Sequence, residues 1–261
     1  MRILWPDHCD GSYTQYCDLN RQYDPIPSPN TTTGTPNGTF VPPYTGPNIG
    51  TFLEPFGKED LLEYMDAYWI AQNQDNAGFW GHEFSKHATC FSTFNTPCYG
   101  PQYREHEDVV DFFETTVKYY KRFPTFDWLK AADITPSNST TYSYADIRDT
   151  LFEQHGGIPF VGCSGPSYNT TEAGKNSTDS GKTVLSEMWY YEHVRDFCIV
   201  QSKHGSKRLT CDLQAYGRPQ EGNTVPVNAS STYLTNCAKA DGAIHYYERT
   251  NGSAKVPTVP F

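Results

Sequence analysis

Two histidines, a glutamate and a lysine fall within six residues, as His82, Glu83, Lys86 and His87. On an α-helix each residue advances by about 100°. With His82 as origin, Lys86 falls at about 40°, Glu83 at about 100° and His87 at about 140°, so all four side chains share one face. An imidazole can give or take a proton at neutral or mildly acid pH. An ammonium can hold a phosphoryl oxygen, and a carboxylate can orient a histidine or move its pKa. This set suits proton transfer at a phosphate. A zinc hydrolase needs H-E-x-x-H, whereas this chain reads H-E-x-x-x-H and turns the second histidine about 140° from the first. A metal-dependent hydrolase built on His82 and His87 is therefore disfavoured. The residue types alone fit a solvated polar helix face equally well.

The flanks Phe79-Trp80 and Ala88-Thr89-Cys90 can pin this helix by aromatic packing and a disulfide. Residues 58–72 place Leu61, Leu62, Met65, Tyr68 and Trp69 at helical spacing, and residues 105–123 do the same with Val109, Val110, Phe112, Phe113, Val117 and Tyr120. A third helix is expected over 143–155, opened by Ser143 with Asp146 and stopped at Gly156-Gly157. Residues 158–163 and 184–195 read as strands, with a short strand over 243–248. Residues 24–48 are rich in proline with little that could pack, which predicts a long surface loop. Residues 164–183 read as a polar surface insertion. Helices early, strands late and long glycosylated loops predict an α+β fold, an antiparallel sheet flanked by helices.

Composition narrows the partners. The chain has 261 residues, 20 Lys+Arg against 30 Asp+Glu, and a formal charge of −10. Such a balance disfavours capture of duplex nucleic acid by a broad basic patch. An aromatic fraction of 15% leaves room for single strands held by stacking, and it can build a core that the few aliphatics cannot. No apolar run reaches the roughly 18 residues of a membrane span. Eight cysteines lack any C-x-x-C pair, and sequons stand at Asn30, Asn37, Asn138, Asn169, Asn176, Asn228 and Asn251. Together they predict a disulfide-bonded glycoprotein of an oxidising compartment, secreted or in a vacuolar or lysosomal lumen, with N-linked glycans. The opening Met-Arg-Ile-Leu-Trp-Pro is not a signal peptide.

The run Phe79-Trp80-Gly81-His82-Glu83-Phe84-Ser85-Lys86-His87-Ala88-Thr89-Cys90 resembles the second active-site segment of the ribonuclease T2 family, F-W-x-H-E-W-x-K-H-G-T-C, with Phe84 for Trp and Ala88 for Gly. Leu4-Trp5-Pro6-Asp7 resembles the end of the first segment, H-G-L-W-P-D, and Leu185 to His193 resembles a late strand, L-x-E-x-W-Y-Y-x-H. The resemblance spans residues 4–211. It implies a secreted acid endoribonuclease of fungal type, cutting single-stranded RNA by attack of the ribose 2′-OH to give a 2′,3′-cyclic phosphate and then a 3′-phosphate. It implies no cofactor and no metal. His87 would be the base toward the 2′-OH and His82 would contact the phosphate, while Lys86 and Glu83 stabilise the pentacovalent intermediate. Trp5, Asp7 and Tyr13 would hold one base and Phe79 a second, with low base specificity. Residues 1–214 would form the catalytic domain and 215–261 an extension, in a monomer. The resemblance also implies the disulfides Cys17–Cys90 and Cys163–Cys211, leaving Cys198 and Cys237 to pair together.

The family's other proton-transfer histidine falls at Arg2. A guanidinium stays protonated above about pH 12 and cannot serve as a general acid, although it can pair with phosphate. One expectation is that the natural chain carries more residues before Met1: a signal peptide, a strand ending in His-Gly, and the partners of Cys9 and Cys98. Cys9 pairing with Cys98 is the simpler scheme. The alternative function is a catalytically impaired glycoprotein that binds RNA or a protein partner. His8 adjoins the expected pocket; His106, His155, His193, His204 and His245 read as structural or surface residues.

Overall fold

The computed structural model describes residues 4–8, 12–71, 74–165, 181–194, 198–203, 206–211, 224–229 and 234–248. Residues 194, 198–203, 206–211 and 224 are described by their backbone alone. Arg2 and Cys9, the sequons at Asn169, Asn176 and Asn251, and most of the expected 164–183 insertion lie outside the described residues. The chain divides into two compact units, one from residues 1–121 with 197–220, the other from 122–196 with 221–253.

The first unit is helical, with one hairpin. Helix α1 is Glu59–Tyr68, α2 is Asn76–Lys86 and α3 is Glu107–Arg122. The apolar stripe of α3 buries Val109, Val110, Phe112, Phe113 and Val117, the face its spacing predicts. Its core is aromatic, as composition requires. Trp69 meets Phe113 edge-on at 5.5 Å, and Phe112 receives Phe84 and Phe94 at 5.7 and 5.6 Å in T-shaped pairs. Helix α1 ends at Tyr68, four residues before the expected end, because Trp69 leaves helical geometry and is fully buried. Buried Arg21 bonds Asp108 of α3 at 2.9 Å, Asp18 at 2.7 Å and the Phe94 carbonyl at 2.6 Å.

The second unit is α+β. Helices α4 (Thr125–Ala131) and α5 (Tyr144–His155) accompany a four-stranded sheet. Its strand order is β1 (Thr141–Tyr142), β8 (Ile244–His245), β3 (Thr183–Trp189), β2 (Phe160–Ser164). The β1–β8 and β2–β3 pairings are antiparallel, while β8 runs parallel to β3, so the sheet is mixed. Helix α5 stops on Gly156, whose φ of 88° is left-handed backbone that glycine adopts without strain. The expected strand over 184–195 is two strands, β3 and β4 (Tyr191–Val194), and β4 pairs with β7 (Thr224–Val227). The break falls at Tyr190, whose hydroxyl lies 2.7 Å from Thr125 Oγ1 and whose ring stacks on Phe123 at 5.2 Å. Strands β5 (Cys198–Lys203) and β6 (Ser206–Cys211) form the hairpin of the first unit.

Cys163 bonds Cys237, not Cys211 as the resemblance implied, so Cys237 is not the partner of Cys198 either. The reason lies in the chain beyond β7. Residues 234–237 run beside β2: Val161 N–H donates to the Leu234 carbonyl, and the Asn236 side chain bonds both main-chain groups of Cys163, at 2.7 and 3.0 Å. That clamp brings Cys237 to the Cys163 sulfur. Residues past 214 supply β7, β8 and half of a disulfide.

The proline-rich 24–48 segment is also built into the fold. Val41 is fully buried and Asp24 is 1% exposed. Thr31 and Phe40 form an antiparallel bridge, with Thr32 N–H on the Thr39 carbonyl at 2.9 Å and Val41 N–H on the Asn30 carbonyl at 3.0 Å. Residues 31–40 therefore leave and rejoin the chain at one place.

Candidate active site

The site belongs to the first unit and rests on α2. Asp75 caps the helix by accepting from Gly78 N–H at 2.7 Å. Trp80, Phe84 and Ser85 face inward; Trp80 Nε1 donates to the Trp69 carbonyl at 2.8 Å, and Ser85 Oγ accepts from Tyr23 N–H at 2.7 Å. Residues 16–24 run along the helix, with Tyr16 N–H on the Lys86 carbonyl at 3.0 Å and Cys17 N–H on Thr89 Oγ1 at 3.1 Å. Cys17 is disulfide-bonded to Cys90 just past the helix end.

Gly81 permits this close approach, since a Cβ there would lie 2.5 Å from the Tyr23 carbonyl oxygen. Gly81→Ala is expected to force the 20–24 segment off α2 and to destabilise the protein by about 1–3 kcal/mol, although alanine is the better helix former. Thermal denaturation of the variant measures this; an unchanged or higher midpoint would show that the packing yields.

Helix α2 ends at Lys86 with His87 as its C-cap; His87 keeps right-handed helical backbone and its N–H donates to the Glu83 carbonyl at 3.1 Å, so its side chain stays on the face of Glu83, one turn on. A 3-10 turn over Ala88–Cys90 follows. The His87 ring is mostly buried, stacked on Trp5 at 5.2 Å with 23° between planes, and its Nε2 lies 3.9 Å from Glu83 Oε2. Burial, with the nearby charges of Lys86 and His82, pushes its pKa down to about 3. The imidazole is therefore neutral across mildly acid pH, and its contact with Glu83 is not an ion pair there. Burial also lowers the Lys86 ammonium, against the opposing pull of Glu83 and Asp24. Lys86 Nζ donates to the Ser28 carbonyl at 3.0 Å.

His82 turns toward the same 24–28 segment. Its Nδ1 lies 2.7 Å from Asp24 Oδ2 and 3.4 Å from the Tyr16 hydroxyl. Asp24 and Tyr16 are absent from the sequence-based set of site residues. No periodicity marks Asp24, which stands in what reads as loop, and only its contact with His82 reveals it.

Of the residues expected to hold bases, Trp5 joins the site through His87. Asp7 and Tyr13 pair in an antiparallel bridge, and Tyr13 is exposed. Phe79 lies one helical turn before His82 and packs against the core. Among the described residues, no helix is long and apolar enough to cross a membrane.

A model of the Ribonuclease T2 family matches residues 1–211. Ribonuclease Trv of Hypocrea rufa is 32% identical over 222 residues, 84% of this chain and 77% of the relative. Ribonuclease M of Aspergillus phoenicis is 34% identical over 209 residues, 79% of this chain and 71% of the relative. The crystal structure of Actibind, a T2 ribonuclease, matches with a TM-score of 0.63 at 28% identity, covering 95% of this chain and 78% of that one. With its imidazoles, ammonium and carboxylate gathered at the end of α2, and with matches of this extent, the chain belongs to the ribonuclease T2 family.

Proposed function

We propose that this protein is an endoribonuclease that cleaves single-stranded RNA by transphosphorylation, with low base specificity. The ribose 2′-oxygen attacks phosphorus and gives its proton to His87. The P–O5′ bond breaks, and the 5′-oxygen takes a proton from solvent as it leaves. Water then opens the 2′,3′-cyclic phosphate to a 3′-phosphate. Lys86 meets the extra negative charge of the pentacovalent intermediate, and His82 contacts the phosphate through Nε2. Trp5, Asp7, Tyr13 and Phe79 hold the flanking bases, mainly by stacking, which every base supports.

The observation that carries this reading is the gathering of His82, Glu83, Lys86 and His87 at the end of α2, with His87 Nε2 3.9 Å from Glu83 Oε2 and its ring stacked on Trp5 at 5.2 Å. An imidazole whose pKa is pushed down to about 3 can accept a proton in acid, where an ordinary histidine is already protonated. Cleavage of a homopolymer RNA, followed in EDTA from pH 3 to 9, is expected to peak at about pH 4–6, with the base limb falling away only toward the low end of that range. A metal requirement or an optimum above pH 8 would remove the proposal.

The second reading is binding of RNA or a protein partner without turnover, and it rests on Arg2 at the position of a proton-transfer histidine. RNA retained on the protein with no cyclic phosphate formed at any pH would favour it. We also propose that the protein works as a monomer in a secreted or luminal compartment. Two disulfides and exposed sequon asparagines at Asn30, Asn37, Asn138 and Asn228 support that setting.

A further inference from the structure

We propose that Asp24 is a positioning residue that fixes the tautomer and orientation of His82, so that Nε2 is the ring nitrogen offered to substrate. The inference rests on the reading of His82 as a phosphate contact.

Asp24 is 1% exposed, and a buried carboxylate must be fully bonded to remain charged. Its Oδ1 accepts from Ile26 N–H at 2.8 Å, and its Oδ2 accepts from the Tyr16 hydroxyl at 2.8 Å. The remaining donor is His82 Nδ1 at 2.7 Å. An ionised carboxylate only accepts, so Nδ1 must carry the proton. In the neutral ring Nε2 is then the acceptor.

The ring cannot turn over without replacing this bond by a C–H. Asp24 cannot follow it either, because the buried Gln22 side chain bonds both main-chain groups of Asp24. Tyr16 closes the arrangement by accepting from Ser28 N–H at 3.1 Å, while the Ser28 carbonyl holds Lys86. One short segment, 24–28, thus sets both the imidazole and the ammonium of α2. A carboxylate behind an imidazole plays this orienting part in hydrolase triads, where changing it to the amide costs about 10⁴ in turnover through the wrong tautomer.

The test has a spectroscopic and a kinetic arm. Long-range ¹H–¹⁵N correlation of the imidazoles in the wild-type protein should show neutral His82 protonated at Nδ1. In Asp24→Asn the Nε2–H tautomer should appear, kcat for RNA cleavage should fall by at least about tenfold with KM little changed, and the loss should vanish when Asp24→Asn is placed in a His82→Ala background. Neutral His82 protonated at Nε2 in the wild type overturns the proposal. So does an Asp24→Asn variant with unchanged tautomer and kcat, or an equal loss in both backgrounds. If Asp24→Asn does not fold, the wild-type spectrum decides. If the wild type does not cleave RNA, the functional reading fails while the spectrum still tests the role of Asp24.

Discussion

Replacing His87 by alanine is expected to lower kcat for RNA cleavage by about 10²–10⁴, the usual contribution of one general base, while KM stays close to that of the wild type. The reason is where the imidazole acts. In the proposed mechanism it takes the 2′-OH proton as the bond to phosphorus forms, so its contribution would arise in the transition state and not in the bound ground state. Lys86→Ala should follow the same pattern, with kcat lower by about 10²–10³, since the charge it meets appears only in the intermediate. Steady-state kinetics on a dinucleoside phosphate and a homopolymer separate the two constants. A rise in KM with kcat unchanged would assign both side chains to binding alone. The variants also have a signature in stability. His87 is held neutral in the folded protein, with a pKa of about 3 against an ordinary value of about 6.5 once unfolded. Between those values the unfolded chain binds the additional proton, so this residue makes the fold lose stability as pH falls through that window. His87→Ala should therefore soften the acid-induced decline while abolishing turnover.

Removing the Cys17–Cys90 disulfide, as the double alanine variant, should be a large stability change. The bond closes a loop with a sequence separation of 73 residues. Loop-closure entropy for that length corresponds to about 4 kcal/mol, within the roughly 2–5 kcal/mol seen when native disulfides are removed. That is a large part of the roughly 5–15 kcal/mol of a typical domain. The functional loss should exceed the thermodynamic one near the melting range, because Tyr16 and Cys17 hang from Lys86 and Thr89 beside the bond. Calorimetry should show a midpoint lower by roughly 10 °C. A midpoint within about 2 °C of the wild type would mean that packing along α2 already holds the two segments together.

The helices were legible in the sequence where local signals and burial agree. The stripe of α3 and the Gly156 stop of α5 follow from spacing and from one residue's backbone freedom. The four ionisable residues at the end of α2 and its cap were equally visible, since their types and order are informative in themselves. What the sequence concealed depends on distant partners. Strand β3 stops before Tyr190 because that ring enters an aromatic cluster. Cys237 finds Cys163 because Asn236, 73 residues away, clamps the main chain of β2. Asp24 is the clearest case, for a buried acceptor inside a proline-rich stretch carries no periodic signal at all.

The small closed excursion of residues 31–40 has a practical consequence. Its two ends are tied to each other by the Thr31–Phe40 bridge, and the residues between are largely exposed. Lengthening such a closed excursion costs little, about 0.6 kcal/mol per doubling. Residues 33–38 therefore offer a port for insertion, where an affinity peptide or a small fluorescent domain can be spliced in without disturbing the 24–28 segment that holds His82 and Lys86 of α2. A retention signal or a targeting module carried there would travel with an intact site, whereas the same insertion ten residues earlier would not.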